Sequence, residues 1–122
     1  MKLDEYFENA KGLGVFSTAN ASGKVNSAVY ARPHFLNEQE VAFIMADRLN
    51  HANLQFNPHA TYLFKEDGQG YTGKRLYLTK IREEKDSPMI EQAIAGKYEG
   101  MTKFLVFFRI EDVLPLIGDK ES

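Results

Sequence analysis

Two runs of strand-forming residues, Gly14 to Ala19 and Lys24 to Phe35, are separated only by Asn20-Ala21-Ser22-Gly23. A connection that short, built from turn-forming residues, joins the runs as an antiparallel hairpin. The rest of the chain continues in hairpin order. After a polar turn around Asn37-Glu38, Val41 to Ala46 is a short apolar strand. His59 to Glu66 and Lys74 to Arg82 flank a loop from Asp67 to Gly73, and Lys103 to Ile110 is the last strand. The helices are short. Leu3, Tyr6, Phe7 and Ala10 share one face of the first, which Gly12 is placed to end. Asp47 to Asn57 reads as a second, with Leu49, Ala52 and Phe56 on its buried side and Pro58 as its stop. Ser87-Pro88 opens a third, running to about Gly96. Helices so few and irregular do not suit a doubly wound parallel sheet. The pattern predicts a mainly β fold with short helices, a six-stranded antiparallel barrel whose closure removes exposed edges.

The chain of 122 residues fits one domain, 1–122, and 43% apolar and 12% aromatic residues suffice for its core. A net charge of −2, with both signs interleaved, gives no electrostatic reason to expect nucleic acid or an anionic membrane as partner. The absence of cysteine excludes disulfides, thiolate metal sites and cysteine nucleophiles, and it suits the cytoplasm. Asp4 and Glu5 stand where a signal peptide needs an apolar run, and no stretch has the length of a membrane span. The expectation is a soluble cytoplasmic domain.

Gly68-Gln69-Gly70-Tyr71-Thr72-Gly73 has the glycine spacing of dinucleotide sites, but a strand follows it where that fingerprint needs a helix. It reads as a hairpin loop. His34, His51 and His59 have no mutual spacing suited to a metal, so no metal site is expected. No nucleophile, base and orienting acid come together in the sequence, so catalytic residues are not assigned. The second strand is more informative. Its odd positions, Val25, Ser27, Val29, Ala31, Pro33 and Phe35, read as a packed face, and its even positions carry Tyr30, Arg32 and His34. Asp47 suits a helix N-cap, which puts Arg48 in the first turn, where a cation is unfavourable unless an anion binds. Either Arg48 pairs with Asp47 or another acid, or it converges with Arg32 on one phosphate, a task that suits arginine's planar fork. In the last strand Phe104, Val106, Phe108 and Ile110 occupy one face and Leu105 and Phe107 the other. Apolar residues on both faces ask for a cover, and a second subunit is the simplest one.

At these residues the sequence resembles the pyridoxamine 5′-phosphate oxidase-related flavin-binding split barrels. The likeness runs from Gly12 to about Ile110. It is strongest over Gly14 to Ala19, Val25 to His34, Asp47-Arg48-Leu49, Asn53-Leu54 and Asn57-Pro58, with Gly73 to Leu78 adding to it. The resemblance implies a six-stranded antiparallel split β-barrel, dimeric, with FMN at the subunit interface. It places the FMN phosphate by Arg32 and by the helix start at Asp47, Arg48, Leu49 and Asn50, where many members have a lysine and a serine or threonine in place of Leu49 and Asn50. It places the isoalloxazine ring along the backbone of Tyr30, Ala31, Pro33, Met45 and Ala46. Tyr71, Lys74 or Arg75 of a second copy would close the pocket. The implied function is that of an FMN-dependent oxidoreductase acting on a small molecule. The alternative is a non-catalytic flavin carrier, or a barrel for another ligand such as haem or a deazaflavin.

Overall fold

Asn20 shapes the first hairpin. Its side-chain oxygen accepts from the backbone N–H of Ser22 and Lys24, both at 2.9 Å, and Gly23 takes φ +85°, a conformation that favours glycine. The computed structural model describes residues 2–88, 90 and 102–118. In chain order the elements are α1 (Leu3–Asn9), β1 (Gly12–Ala19), β2 (Val25–Val29), β3 (His34–Phe35), β4 (Glu40–Ala46), α2 (Leu49–Leu54), β5 (His59–Glu66), β6 (Gly73–Lys85) and β7 (Lys103–Pro115). All pairings are antiparallel, and they join the strands into one sheet of order β2-β1-β5-β6-β7-β4-β3. Most of the helix expected from Ser87 to about Gly96 lies outside the described residues.

The sheet has seven strands rather than six because the long second strand is broken. Tyr30 keeps a backbone bond to Gly14 of β1, but the residues from Tyr30 to Pro33 belong to no strand, and Pro33 has no N–H to contribute to a ladder. The break also changes the phase. In β2 the odd residues face out, Val25 at 66% and Val29 at 68% exposure, and Tyr30 turns inward against the Phe16 ring at 5.1 Å. Beyond the break Phe35 packs inward and His34 is exposed. The expectation of one packed odd face is therefore wrong for β2 and right for Phe35. The expected closure is not found: the sheet keeps two edges, β2 and β3, which do not pair with each other and are joined only by the four residues of chain between them.

The interior is aromatic. Phe16 of β1 meets Phe43 of β4 at 4.9 Å and Phe108 of β7 at 5.4 Å, with Tyr62 and Phe64 of β5, Leu76 and Leu78 of β6 and Val106 completing the packing. Phe7 of α1 plugs one end against Phe35, Tyr62 and Phe64. The other face of β7 is covered by its own chain. Leu105 and Phe107 cluster with Ala42 and Ile90, and the Arg82 guanidinium lies 3.7 Å from the Phe107 ring centroid. They need no second subunit, which removes that ground for a dimer.

The second helix corrects another expectation. It buries Asn50, His51, Asn53 and Leu54, and it leaves Leu49, Ala52 and Phe56 exposed. Polar residues face inward because the sheet offers them partners. Thr18 Oγ1 donates to Asn50 Oδ1 at 2.6 Å, Asn26 Nδ2 donates to the same oxygen at 3.1 Å, and Asn53 Nδ2 donates to Thr18 Oγ1 at 3.0 Å. Satisfied in this way, buried amides stabilise the docking of α2 by about 1 kcal/mol per bond.

Candidate functional site

The break in the second strand opens a cavity of about 610 Å³ at the split. One wall comes from Asn26, Ala28 and Tyr30 of β2 and its continuation, another from Phe43, Ile44 and Ala46 of β4, and the end from Arg48 and Asn50 at the start of α2. The volume is that of an ordinary small-molecule site. The backbone of Tyr30 is fixed at both poles: its N–H donates to Gly14 O at 3.0 Å, and its carbonyl accepts from the Tyr62 hydroxyl at 3.3 Å. A Cβ at Gly14 would collide with that hydroxyl, so this position requires glycine. Burial pushes the Tyr62 pKa up to about 12, partly offset by the Arg32 charge, and Tyr62 remains a neutral donor at pH 7.

Of the residues expected at the site, Tyr30, Ala31, Arg32, Ala46, Arg48, Leu49 and Asn50 line this cavity. Three do not. The Met45 side chain lies fully inside the core. Pro33 lines a smaller hollow of about 330 Å³ beside α1. Asp47 is not the helix N-cap: Arg48 holds that position, and no side chain caps it. The Asp47 carboxylate lies 3.5 Å from His51 Nδ1. The helix it precedes has six residues, too few to contribute much dipole at its start.

Arg32 and Arg48 line one cavity, but Arg32 is also engaged elsewhere. Its Nη1 donates to the carbonyls of Phe7 and Glu8, which α1 leaves unpaired at its C-terminal end. The sequence reading missed Lys103, which lines the same cavity from the start of β7. A lysine opening a strand reads as a solvated end, and only the pairing of β4 with β7 brings it beside Ala46. Among the described residues lining the cavity there is no carboxylate, against Arg32, Arg48 and Lys103 and the imidazole of His34. Desolvation lowers the His34 pKa, so that ring is neutral at pH 7.

Behind α2 the charges balance. His51 Nε2 lies 2.9 Å from Glu83 Oε2, and Lys80 Nζ and Gln55 Nε2 reach Glu83 Oε1 at 2.5 and 3.0 Å. Burial works against ionisation of Glu83, but hydrogen bonds from Gln55, Lys80 and His51 outweigh it and bring its pKa down to about 2. A second groove, of about 690 Å³, lies on the outer face of the sheet, between Ser17 of β1, Thr61 of β5, Tyr77 and Thr79 of β6, and Arg109 and Glu111 of β7. Its arginine is paired, with Nε and Nη2 at 2.7 and 2.6 Å from Glu111 Oε1.

No family model matches the sequence, and no curated protein matches it. Solved structures do match the fold. An FMN-binding protein from Syntrophomonas wolfei subsp. wolfei superposes with a TM-score of 0.77 at 16% identity, over 98% of this chain and 86% of that one. A candidate pyridoxamine 5′-phosphate oxidase from Lactobacillus delbrueckii gives 0.69 at 19% identity, over 90% of this chain and 88% of that one. An F420 reductase gives 0.70 at 11% identity, over 89% and 94%. The chain has the fold these proteins share, a mainly antiparallel split barrel.

Proposed function

We propose, from the split-barrel fold that this chain shares with pyridoxamine 5′-phosphate oxidase-like flavin proteins, that the cavity at the split binds FMN and serves oxidoreduction of a small molecule. The observation that carries the reading is electrostatic. A chain of net charge −2 brings two arginines, Arg32 and Arg48, to one cavity whose described lining contains no acid. Such a site favours a ligand carrying negative charge. Its walls favour a flat one: Ala28 and Ala31 leave room beside the rings of Tyr30 and Phe43, and Ile44 and Ala46 add an apolar surface.

The residues present fit FMN. Arg48 would meet the phosphate at the start of α2, and the backbone around Tyr30, Ala31 and Ala46 would lie along the ring. Bound FMN supplies the redox chemistry, and the protein supplies position and dryness. This explains why no nucleophile–base pair is needed. A second copy of the chain would cover the site: Val29 and Leu49 at the cavity rim are exposed, and Leu49, Ala52 and Phe56 leave an apolar stripe along the outer side of α2. A homodimer with flavin at its interface is thus part of the proposal.

The first experiment is the absorption spectrum of freshly purified protein, with mass spectrometry of the released ligand, followed by titration with FMN and riboflavin. FMN should bind at least about tenfold more tightly, since riboflavin lacks the charge-assisted contacts at the cations. Equal affinity would overturn the assignment of the phosphate to this end of the cavity. Steady turnover of a reductant by the FMN-loaded protein would establish catalysis, and its absence would make the protein a flavin carrier. Light scattering with and without FMN tests the dimer.

A further inference from the structure

We infer that His34 meets the polar edge of the ligand's ring, at the end of the cavity away from Arg48; the inference rests on the flavin reading above. Strand pairing places it. His34 lies opposite Ala42 of β4, and Phe35 lies opposite Val41. Phe35 and Val41 pack into the core, so His34 and Ala42 share the other face of the sheet. Ile44 and Ala46 continue that face along β4, and both line the cavity together with His34. From Ala42 to Ala46 is four steps of strand, about 13 Å at roughly 3.3 Å per residue. The Arg48 N–H then donates to the Ala46 carbonyl at 2.8 Å. His34 and Arg48 are thus anchored at opposite ends of one wall, a separation that a ring and an extended ribityl chain can span.

The bonding of the other polar side chains around the cavity singles out these two. Asn26 donates to Asn50, which also accepts from Thr18 and donates to the Phe16 carbonyl. Arg32 is shared with the end of α1. Tyr30 and Lys103 have partners of their own. Among the described residues lining the cavity, Arg48 and His34 remain, and neither side chain has a hydrogen bond or ion pair within the fold. Desolvation keeps the His34 ring neutral at pH 7, so it offers one N–H donor and one nitrogen acceptor. A flavin asks for such a pair at one edge of its ring, where an N–H stands between two carbonyls, and for a cation at its phosphate. Arg48 and His34 can supply both without giving up a bond of the fold, so neither contact leaves a protein group unpaired.

The test measures FMN, riboflavin and lumiflavin (the ring without its chain) on wild type and on variants at the two ends, by flavin fluorescence. His34→Ala should weaken all three by a common factor of about five to ten, because the ring is common to them. Arg48→Ala should weaken FMN alone. His34→Gln, which keeps a donor and an acceptor, should retain most of the affinity, and His34→Phe should not. The visible absorption band of bound FMN should move in His34→Ala and stay in place in Arg48→Ala. Without flavin the His34 variants should melt as wild type does, since His34 has no partner to lose. A loss confined to FMN overturns the inference, and so does failure of the His34 variants to fold, which would make His34 a packing residue. If wild type binds none of the three, the flavin reading itself falls; if wild type binds them and the His34 variants bind equally well, only the role of His34 falls.

Discussion

The cavity at the split and the groove on the outer face of the sheet are similar in volume, about 610 and 690 Å³, and differ in how their charges are arranged. In the outer groove Arg109 is held by Glu111 of the same strand, and the pair leaves little field for a ligand to meet. At the split, Arg32 and Arg48 come from different parts of the chain, and none of the described lining residues is acidic. Volume alone would favour the outer groove. Charge left to an incoming partner distinguishes a site from a dent, because a cation already matched by its own strand has little left to give.

Charge reversal tests that contrast most severely. Arg48→Glu should weaken FMN by about a hundredfold or more, since a charge-assisted bond worth roughly 1.5–3 kcal/mol is replaced by repulsion. Arg109→Glu should leave FMN affinity within about twofold, and comparable losses in the two variants would break the comparison. Next in size is Asn50→Ala. It strips Thr18 and Asn26 of their acceptor and should lower stability by about 2–3 kcal/mol in urea titrations, weakening FMN binding at the same time because α2 carries Arg48. Loss of stability with unchanged binding would show that the helix start does not need this clamp.

A smaller effect is expected from Arg32→Ala. Because Arg32 caps the end of α1 through Phe7 and Glu8, the variant should lower the melting temperature of the flavin-free protein by a few degrees as well as weaken FMN, about 1 kcal/mol being typical of such a bond. An unchanged melting temperature would make Arg32 a ligand contact only. The least effect is in acid. With the Glu83 carboxyl depressed from 4.5 to about 2, the folded state binds fewer protons there than the unfolded chain. Its contribution is complete above about pH 4.5 and is lost as pH falls toward 2. Glu83→Gln should flatten that part of the stability profile while leaving the FMN preference at pH 7 in place; an unaltered acid profile would show that the His51–Glu83–Lys80 cluster adds nothing.

Alternation made the sheet legible. The strand from His59 to Glu66 has the expected limits, and the apolar face of Phe104, Val106 and Phe108 is the interior face. The second strand was legible only up to Tyr30. Beyond it the side chains continue to alternate in type while the backbone slips out of phase, and Pro33 inside an apparent strand was the available signal. In α2 the apolar stripe suggested the wrong buried side, because Asn50 and Asn53 are drawn inward by Thr18 and Asn26, partners more than twenty residues away in sequence. For the same reason sequence order pointed to Arg48 and could not point to Lys103, whose neighbours are set by the pairing of β4 with β7.

Joining the two edges of the sheet with four residues, Tyr30 to Pro33, has a consequence for what such a protein can come to hold. A fully extended tether of that length spans at most about 14 Å, and the tether ends in two strands that are themselves fixed. The gap between the two edges thus has a maximum width beside the tether that is written into the chain. One inserted residue would widen that limit by about 3.5 Å. Evolution could change the size of the guest by adjusting a hem, without recutting the cloth.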